Sequence, residues 1–299
     1  MKNLLSIEAL TGDEIAGIVA LADRMKAERG RHSTLPLKGQ CWGLIFSKSS
    51  TRTRVSFEVG IRELGGDAMF LSSNDIQLGR GEPIKDTARV MGRMLGGAVI
   101  RTFAQKDVDD FAEYSRIPTI NALTDDEHPC QILADLQTIK QKLGAYAGRK
   151  VCFVGDGACN VARSWVWAAV RCGFELTVAA PEKYQPDEGL VKAAGGCVRV
   201  TADITEAARG ADVLYTDVWV SMGKEEEAAL RIAELSGYQI NSKLVAAAAP
   251  GALVMHCLPA YREKEITNEV FEAHAGTIFD QAENRLHAQK AVLQVLSEG

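Results

Sequence analysis

Short apolar runs bounded by Gly, Ser and Pro alternate with stretches of helical spacing along nearly the whole chain. In the first half, apolar runs at 40–46, 68–71, 98–103 and 119–122 predict strands. Helical spacing over 55–64, 84–95 and 108–114 falls between them. A long helical pattern over 129–143 stops at Gly144-Ala145-Tyr146-Ala147-Gly148. A second series of strands is predicted at 150–155, 175–180, 197–200, 213–216, 252–256 and 277–279, with a terminal helix over 285–296. Near-continuous apolar strands separated by helices imply parallel sheets covered on both faces. The expected fold class is α/β: two doubly wound parallel-sheet domains, joined by the 129–143 helix, with the active site in the cleft between them. The expected division is 1–133 and 134–285, with residues 286–299 packing back onto the first domain.

The polar residues break this pattern at particular places. Ser50-Thr51-Arg52-Thr53-Arg54 follows the first strand and opens a helix, so hydroxyls, guanidinium groups and free backbone N–H groups converge there. That combination binds a phosphate. Arg101-Thr102 ends the third strand, and His128-Pro129-Cys130-Gln131 follows the fourth. Gln131 lies one turn into the helix and shares a face with His128. In the second half, Asp156-Gly157-Ala158-Cys159-Asn160, Asp217 with Ser221-Met222-Gly223, and His256-Cys257-Leu258-Pro259 each follow a predicted strand. Taken singly, each has a plain structural reading. Ser50 or His128 serves as a helix cap, Asp217 as a loop cap, Arg101 or Arg285 as a solvated or paired charge, and Cys257 as a small buried hydrophobe. Six clusters on the carboxyl edges of strands, three per domain, point to a ligand crevice instead.

Composition narrows the class. The 299 residues suffice for two medium domains, and 46% hydrophobic with 24% charged residues is ordinary for a globular protein. A net charge of −5 without a Lys/Arg block argues against nucleic acid. Glu8, Asp13 and Glu14 interrupt any apolar leader, and no run reaches membrane-spanning length, so no membrane partner is expected. Seven cysteines without a CxxC pair read as reduced thiols in a cytoplasmic enzyme. The five histidines are scattered, and neither a metal nor a cofactor is expected. The Gly155-Asp156-Gly157 turn is not a dinucleotide fingerprint. Asn160 stands where the third glycine belongs, and the next strand ends in Ala180-Pro181 without the acidic residue a ribose needs.

Ser50-Thr51-Arg52-Thr53-Arg54, His128-Pro129-Cys130-Gln131 and His256-Cys257-Leu258-Pro259, in that order, resemble the carbamoyltransferases. Asp217-Val218-Trp219-Val220-Ser221-Met222-Gly223 resembles the ornithine-binding segment of the ornithine branch of that family. The resemblance runs from the first strand to Glu283-Asn284-Arg285. It implies carbamoyl transfer from carbamoyl phosphate to the δ-amine of L-ornithine, giving citrulline and phosphate. The first domain would then bind carbamoyl phosphate and the second ornithine. By resemblance, Ser50, Thr51, Arg52 and Thr53 bind the phosphate, with Arg101 assisting. Thr53, Arg101, His128 and Arg285 surround the carbonyl oxygen, while Gln131 and the carbonyls of Cys257 and Leu258 hold the carbamoyl NH2. Asn160, Asp217, Ser221 and the Met222 backbone hold the amino-acid end of ornithine, and Cys257 faces the attacking amine. Arg101, His128, Cys257 and Arg285 form the implied catalytic set. Gln77, in Asp75-Ile76-Gln77-Leu78-Gly79, matches a loop that in this family reaches into a neighbouring subunit's site, which implies that Gln77 binds carbamoyl phosphate there and that the protein is a homotrimer.

Two positions depart from the family pattern. Ser49 stands where many members have proline, and Arg163 stands where Asn or a similar residue is expected. The residues leave open a related acceptor such as putrescine or an acylated ornithine, and a non-catalytic paralogue that binds the same metabolites. They also leave open whether Cys257 or the departing phosphate takes the amine proton. A biosynthetic role is the expectation, with a catabolic one open.

Overall fold

The first sheet is built from β1 (Cys41–Phe46), β2 (Asp67–Ser72), β3 (Gly97–Arg101) and β4 (Thr119–Leu123), all parallel, in the order β2-β1-β3-β4. Every residue of β3 is buried, as a strand covered on both faces requires. Gly97 is opposite Trp42 in the register, and a Cβ there would lie 2.5 Å from the indole ring, so the tight β1–β3 pairing depends on this glycine. The second sheet contains β5 (Lys150–Val154), β6 (Glu175–Ala179), β7 (Val198–Thr201), β8 (Val213–Thr216) and β9 (Leu253–His256), also all parallel, in the order β7-β6-β5-β8-β9. The computed structural model describes residues 1–72, 82–221, 223 and 225–298.

The chain divides into two compact units, residues 1–137 with 283–299, and residues 138–282. One boundary falls inside the helix Pro129–Leu143 and the other inside the helix Ala275–Ser297. Arg285, expected at the end of the second domain, therefore groups with the first unit. In the first unit Ile45, Ala98, Ile100, Val108 and Phe111 form a packed core cluster. In the second, Trp165 packs edge-on against Tyr215 and Phe174, and Tyr215 stacks on Phe153. Each such fully buried side chain contributes roughly 1.5–3 kcal/mol by leaving water.

Strand order fixes where ligands belong. In the first sheet the chain steps from β1 to β2 on one side and then returns to add β3 on the other. In the second it steps from β5 through β6 to β7 and returns to add β8. Each sheet thus has a topological switch point, β1/β3 and β5/β8, whose carboxyl-end crevice is the preferred ligand site.

The structure corrects two sequence expectations. Residues 277–279 are not a strand; they lie in the first turns of the helix Ala275–Ser297. Three apolar residues do not distinguish a strand from a helical turn, and here Ile278 is buried while Phe279 is exposed. β3 also ends at Arg101, two residues before the expected end, with a shift in the β3–β4 register between Ile100 and Arg101.

Candidate active site

At the β1/β3 switch point Ser50 is the N-cap of the helix Thr51–Glu63. Its Oγ accepts from the Thr53 N–H at 3.3 Å. The cap leaves room for an anion, since one side-chain acceptor satisfies only one first-turn N–H group and no acidic residue occupies that turn. Arg52 is exposed at this terminus. Arg54 is not part of the cradle: it pairs with Glu58 at 2.7 Å and lies over the Phe70 ring at 3.7 Å. Ser47 N–H donates to the Arg101 carbonyl at 2.8 Å, tying the two strand ends together. The β3–β4 register shifts at Arg101, an irregularity of the kind found beside functional sites.

Arg285 enters from the last helix. Its Nη2 donates to Thr53 Oγ1 at 3.1 Å and its Nη1 to Gln131 Oε1 at 2.7 Å, while Gln131 Nε2 donates to Asp135 Oδ1 at 2.8 Å. All four residues are buried. Burial, then the charges of Arg285 and Arg101, hold His128 well below the usual imidazole range. His128 is therefore neutral at physiological pH, and beside it stand two permanent cations. The first unit thus brings together Thr53, Arg101, His128, Gln131 and Arg285, with Ser50, Thr51 and Arg52 at the adjoining helix terminus. Cys130, within the same motif, has its thiol pushed up to about 12 by burial and is inert packing.

At the β5/β8 switch point Asn160 opens the helix Asn160–Cys172, whose N-cap is Cys159. Gly155, with φ 125°, makes the sharp exit from β5 that only glycine adopts readily. Asp217 leaves β8, and its Oδ1 accepts from Val218 N–H at 2.7 Å and from Cys257 Sγ at 2.8 Å. Burial raises the Asp217 carboxyl above its ordinary value. His256, the Cys257 thiol and the Val218 N–H draw it back down.

His256, at the end of β9, is fully enclosed. Leu258 N–H donates to its Nδ1 at 2.9 Å, and its Nε2 lies 3.1 Å from Glu265 Oε1. An Nδ1 that accepts carries no proton, so the proton is on Nε2 and donates to Glu265. This bond holds Leu258 in the left-handed region at φ 58°, costing about 1–3 kcal/mol, and fixes the turn that carries Cys257. Glu265, nine residues downstream, gave no sequence signal for this role.

The expectation of scattered metal-type ligands needs one correction. Folding brings ligand atoms of Asp217, His256 and Cys257 within 4.8 Å of one another. The described partners already occupy these donors: both His256 nitrogens are engaged, and the thiol donates to Asp217. Ser221 lies in the loop after β8, four residues beyond Asp217. Gln77 and Met222 lie outside the described residues.

Residues 2–141 match the family model described as aspartate/ornithine carbamoyltransferase, carbamoyl-P binding domain, and residues 147–296 match the Asp/Orn binding domain of the same family. The chain belongs to the aspartate/ornithine carbamoyltransferase family. It is 60% identical to an ornithine carbamoyltransferase of Akkermansia muciniphila over 302 residues, covering 100% of this chain and 99% of the relative. It is 48% identical to an anabolic ornithine carbamoyltransferase of Pseudomonas aeruginosa, covering 100% and 98%. Among solved structures, the ornithine carbamoyltransferase of Pyrococcus furiosus superposes with a TM-score of 0.93 at 44% identity, covering 100% of this chain and 97% of that one. The anabolic enzyme of Campylobacter jejuni gives 0.94 at 42%, covering 100% and 99%.

Proposed function

We propose that this chain transfers the carbamoyl group of carbamoyl phosphate to the δ-amine of L-ornithine, giving L-citrulline and phosphate in arginine biosynthesis. The observation that carries the reading is the Asp217–Cys257 contact at the carboxyl ends of β8 and β9. A carboxylate beside the acceptor favours a substrate that keeps a second, charged amine after offering one as nucleophile. Ornithine has that amine; aspartate, whose only amine attacks, does not.

The chemistry divides as follows. Ser50, Thr51, Arg52 and Thr53 grip the phosphate with the helix N-terminus, and Arg101 assists. His128 donates from a neutral imidazole to the carbonyl oxygen, with Thr53, Arg101 and Arg285 completing the oxyanion site. Gln131 and the carbonyls of Cys257 and Leu258 take the carbamoyl NH2. Asn160 and Ser221, with the Met222 backbone, hold the α-carboxylate end, and Asp217 pairs with the α-ammonium. The nucleophile must be uncharged; an alkylamine of pKa near 10.4 is so at pH 7 only at a cost of roughly 4–5 kcal/mol. Cys257, held by Asp217, lines its approach. Residues 1–133 and the terminal helix form the donor-binding domain and residues 134–285 the acceptor-binding domain, apart from Arg285, which serves the donor.

Purified protein given carbamoyl phosphate and ornithine forms citrulline, and runs with putrescine, aspartate and acetylornithine rank the acceptors; no citrulline would overturn the reading. Cys257→Ser lowers turnover about 10²-fold and shifts the pH–rate profile; an unchanged profile removes the thiol from the mechanism. The protein is further read as a cytoplasmic homotrimer in which the Gln77 loop reaches a neighbouring subunit. Seven free cysteines and the absence of a membrane-length apolar helix among the described residues are compatible with that. Sedimentation equilibrium tests the trimer.

A further inference from the structure

The helix Ala228–Leu235 turns a guanidinium inward. Arg231 is 7% exposed, an expensive position for a cation unless every donor is used. Its Nε donates to the Trp219 carbonyl at 2.8 Å, and its Nη2 pairs with Asp156 Oδ2. Glu227 stands 3.6 Å from Nη1, and the guanidinium lies over the Tyr184 ring at 4.8 Å. The two anchors belong to different loops. Asp156 is in the loop leaving β5; its Oδ1 caps the Ala158 N–H, and the helix begins two residues later at Asn160. Trp219 is in the loop leaving β8, two residues after Asp217. One rigid, planar fork therefore spans the two loops that flank the switch point of the second sheet.

We infer that Arg231 is the positioning residue that sets the spacing between Asn160 and Asp217, and with it the length of acceptor the protein selects. The inference rests on the proposed reading of those two residues as the acceptor's holders. It goes beyond that reading by assigning acceptor-length selection to a residue that none of the site motifs contains. Charge supports it as well. Burial raises the Asp156 carboxyl, the Arg231 charge counters that rise, and Asp217 lies close enough to add to it. With Asp156 neutralised, Asp217 is left as the net negative charge for an ammonium.

The test is Arg231→Lys, which keeps the charge but loses the fork, beside Asp156→Asn, which keeps an oxygen to cap Ala158 but ends the ion pair. Steady-state rates are measured with ornithine and with its shorter and longer homologues, 2,4-diaminobutyrate and lysine. Arg231→Lys lowers kcat/KM for ornithine about tenfold to a hundredfold, since a displacement near 1 Å is that damaging to the reacting geometry. It lowers the ornithine-over-homologue preference about tenfold and leaves KM for carbamoyl phosphate within twofold. Asp156→Asn gives the same pattern and decides the matter should the lysine variant fail to fold. A folded variant with unchanged acceptor-length preference overturns the inference, as does an equal rise in both KM values. Absence of citrulline formation by the wild-type protein would instead overturn the proposed function.

Discussion

Replacing His128 by Ala lowers kcat by about 10²–10³, the usual effect of removing one oxyanion donor, while the Kd for inorganic phosphate changes less than threefold. The separation follows from geometry. On the proposed reading phosphate is held by Ser50, Arg52 and the terminus of the helix Thr51–Glu63, whereas His128 sits at the start of the helix Pro129–Leu143 beside Arg101 and Arg285. It also follows from protonation. Burial and two arginines keep the imidazole neutral, so it donates one hydrogen bond without bringing a third cation. The kcat–pH profile should then show no limb near 6.5 from this residue. Stability carries the same sign. Below about pH 6.5 the unfolded chain takes up the His128 proton and the folded chain does not, so the wild-type protein loses stability as pH falls through that window. The alanine variant lacks the His128 contribution and keeps that of His287 and His274, so its acid sensitivity is smaller. Isothermal titration with phosphate, steady-state kinetics and pH-dependent melting check the three parts. Equal losses in kcat and phosphate binding would contradict the assignment.

What was legible in the sequence was whatever depends on local pattern. Buried parallel strands must be apolar on both faces and must hand over to loops of Gly, Ser and Asp, so the strand cores and the polar clusters at their carboxyl ends could be read directly. Ser50 as a cap follows from the same logic. Pairings between distant residues were not legible. Arg54 resembled Arg52 in sequence, and only the position of Glu58 and Phe70 shows that it is spent on packing. Arg231 sits in an ordinary helical pattern; its inward turn depends on Asp156, 75 residues away. Arg285 was found through its motif, yet its bonds to Thr53 and Gln131 cross 232 and 154 residues. The helix Gly12–Ala27 was legible but not drawn, although Thr11 and Glu14 form a capping box and Ile15, Ile18, Val19, Ala22 and Met25 make a regular buried stripe. Residues 277–279 mark the opposite case, a short apolar run that reads as a strand and lies within a helix.

Asp217→Asn is expected to lower kcat/KM for ornithine by about 10²–10³ while leaving KM for carbamoyl phosphate within threefold. The substitution keeps shape. An asparagine Oδ1 still accepts from the Val218 N–H and from the Cys257 thiol, so the loop and the cysteine stay in place. What is lost is the charge that, on the proposed reading, meets the α-ammonium. Leaving one partner of an enclosed ion pair uncompensated costs about 3–5 kcal/mol, and each 1.4 kcal/mol is about tenfold. On the proposed reading the loss falls on the acceptor, because Ser50, Thr51, Arg52 and His128 are in the other compact unit and the Cys257–Leu258 turn, which also meets the donor, keeps its contacts. The decisive comparison uses 5-aminopentanoate, which keeps the δ-amine and the carboxylate but lacks the α-ammonium. For wild-type protein it is a poor acceptor, because the Asp217 charge would be enclosed without a partner. For Asp217→Asn that penalty disappears, and the ratio of kcat/KM values for ornithine and 5-aminopentanoate falls toward unity. A variant that loses activity equally with both acceptors would show that Asp217 acts on the attacking amine or on the fold instead of on the α-ammonium.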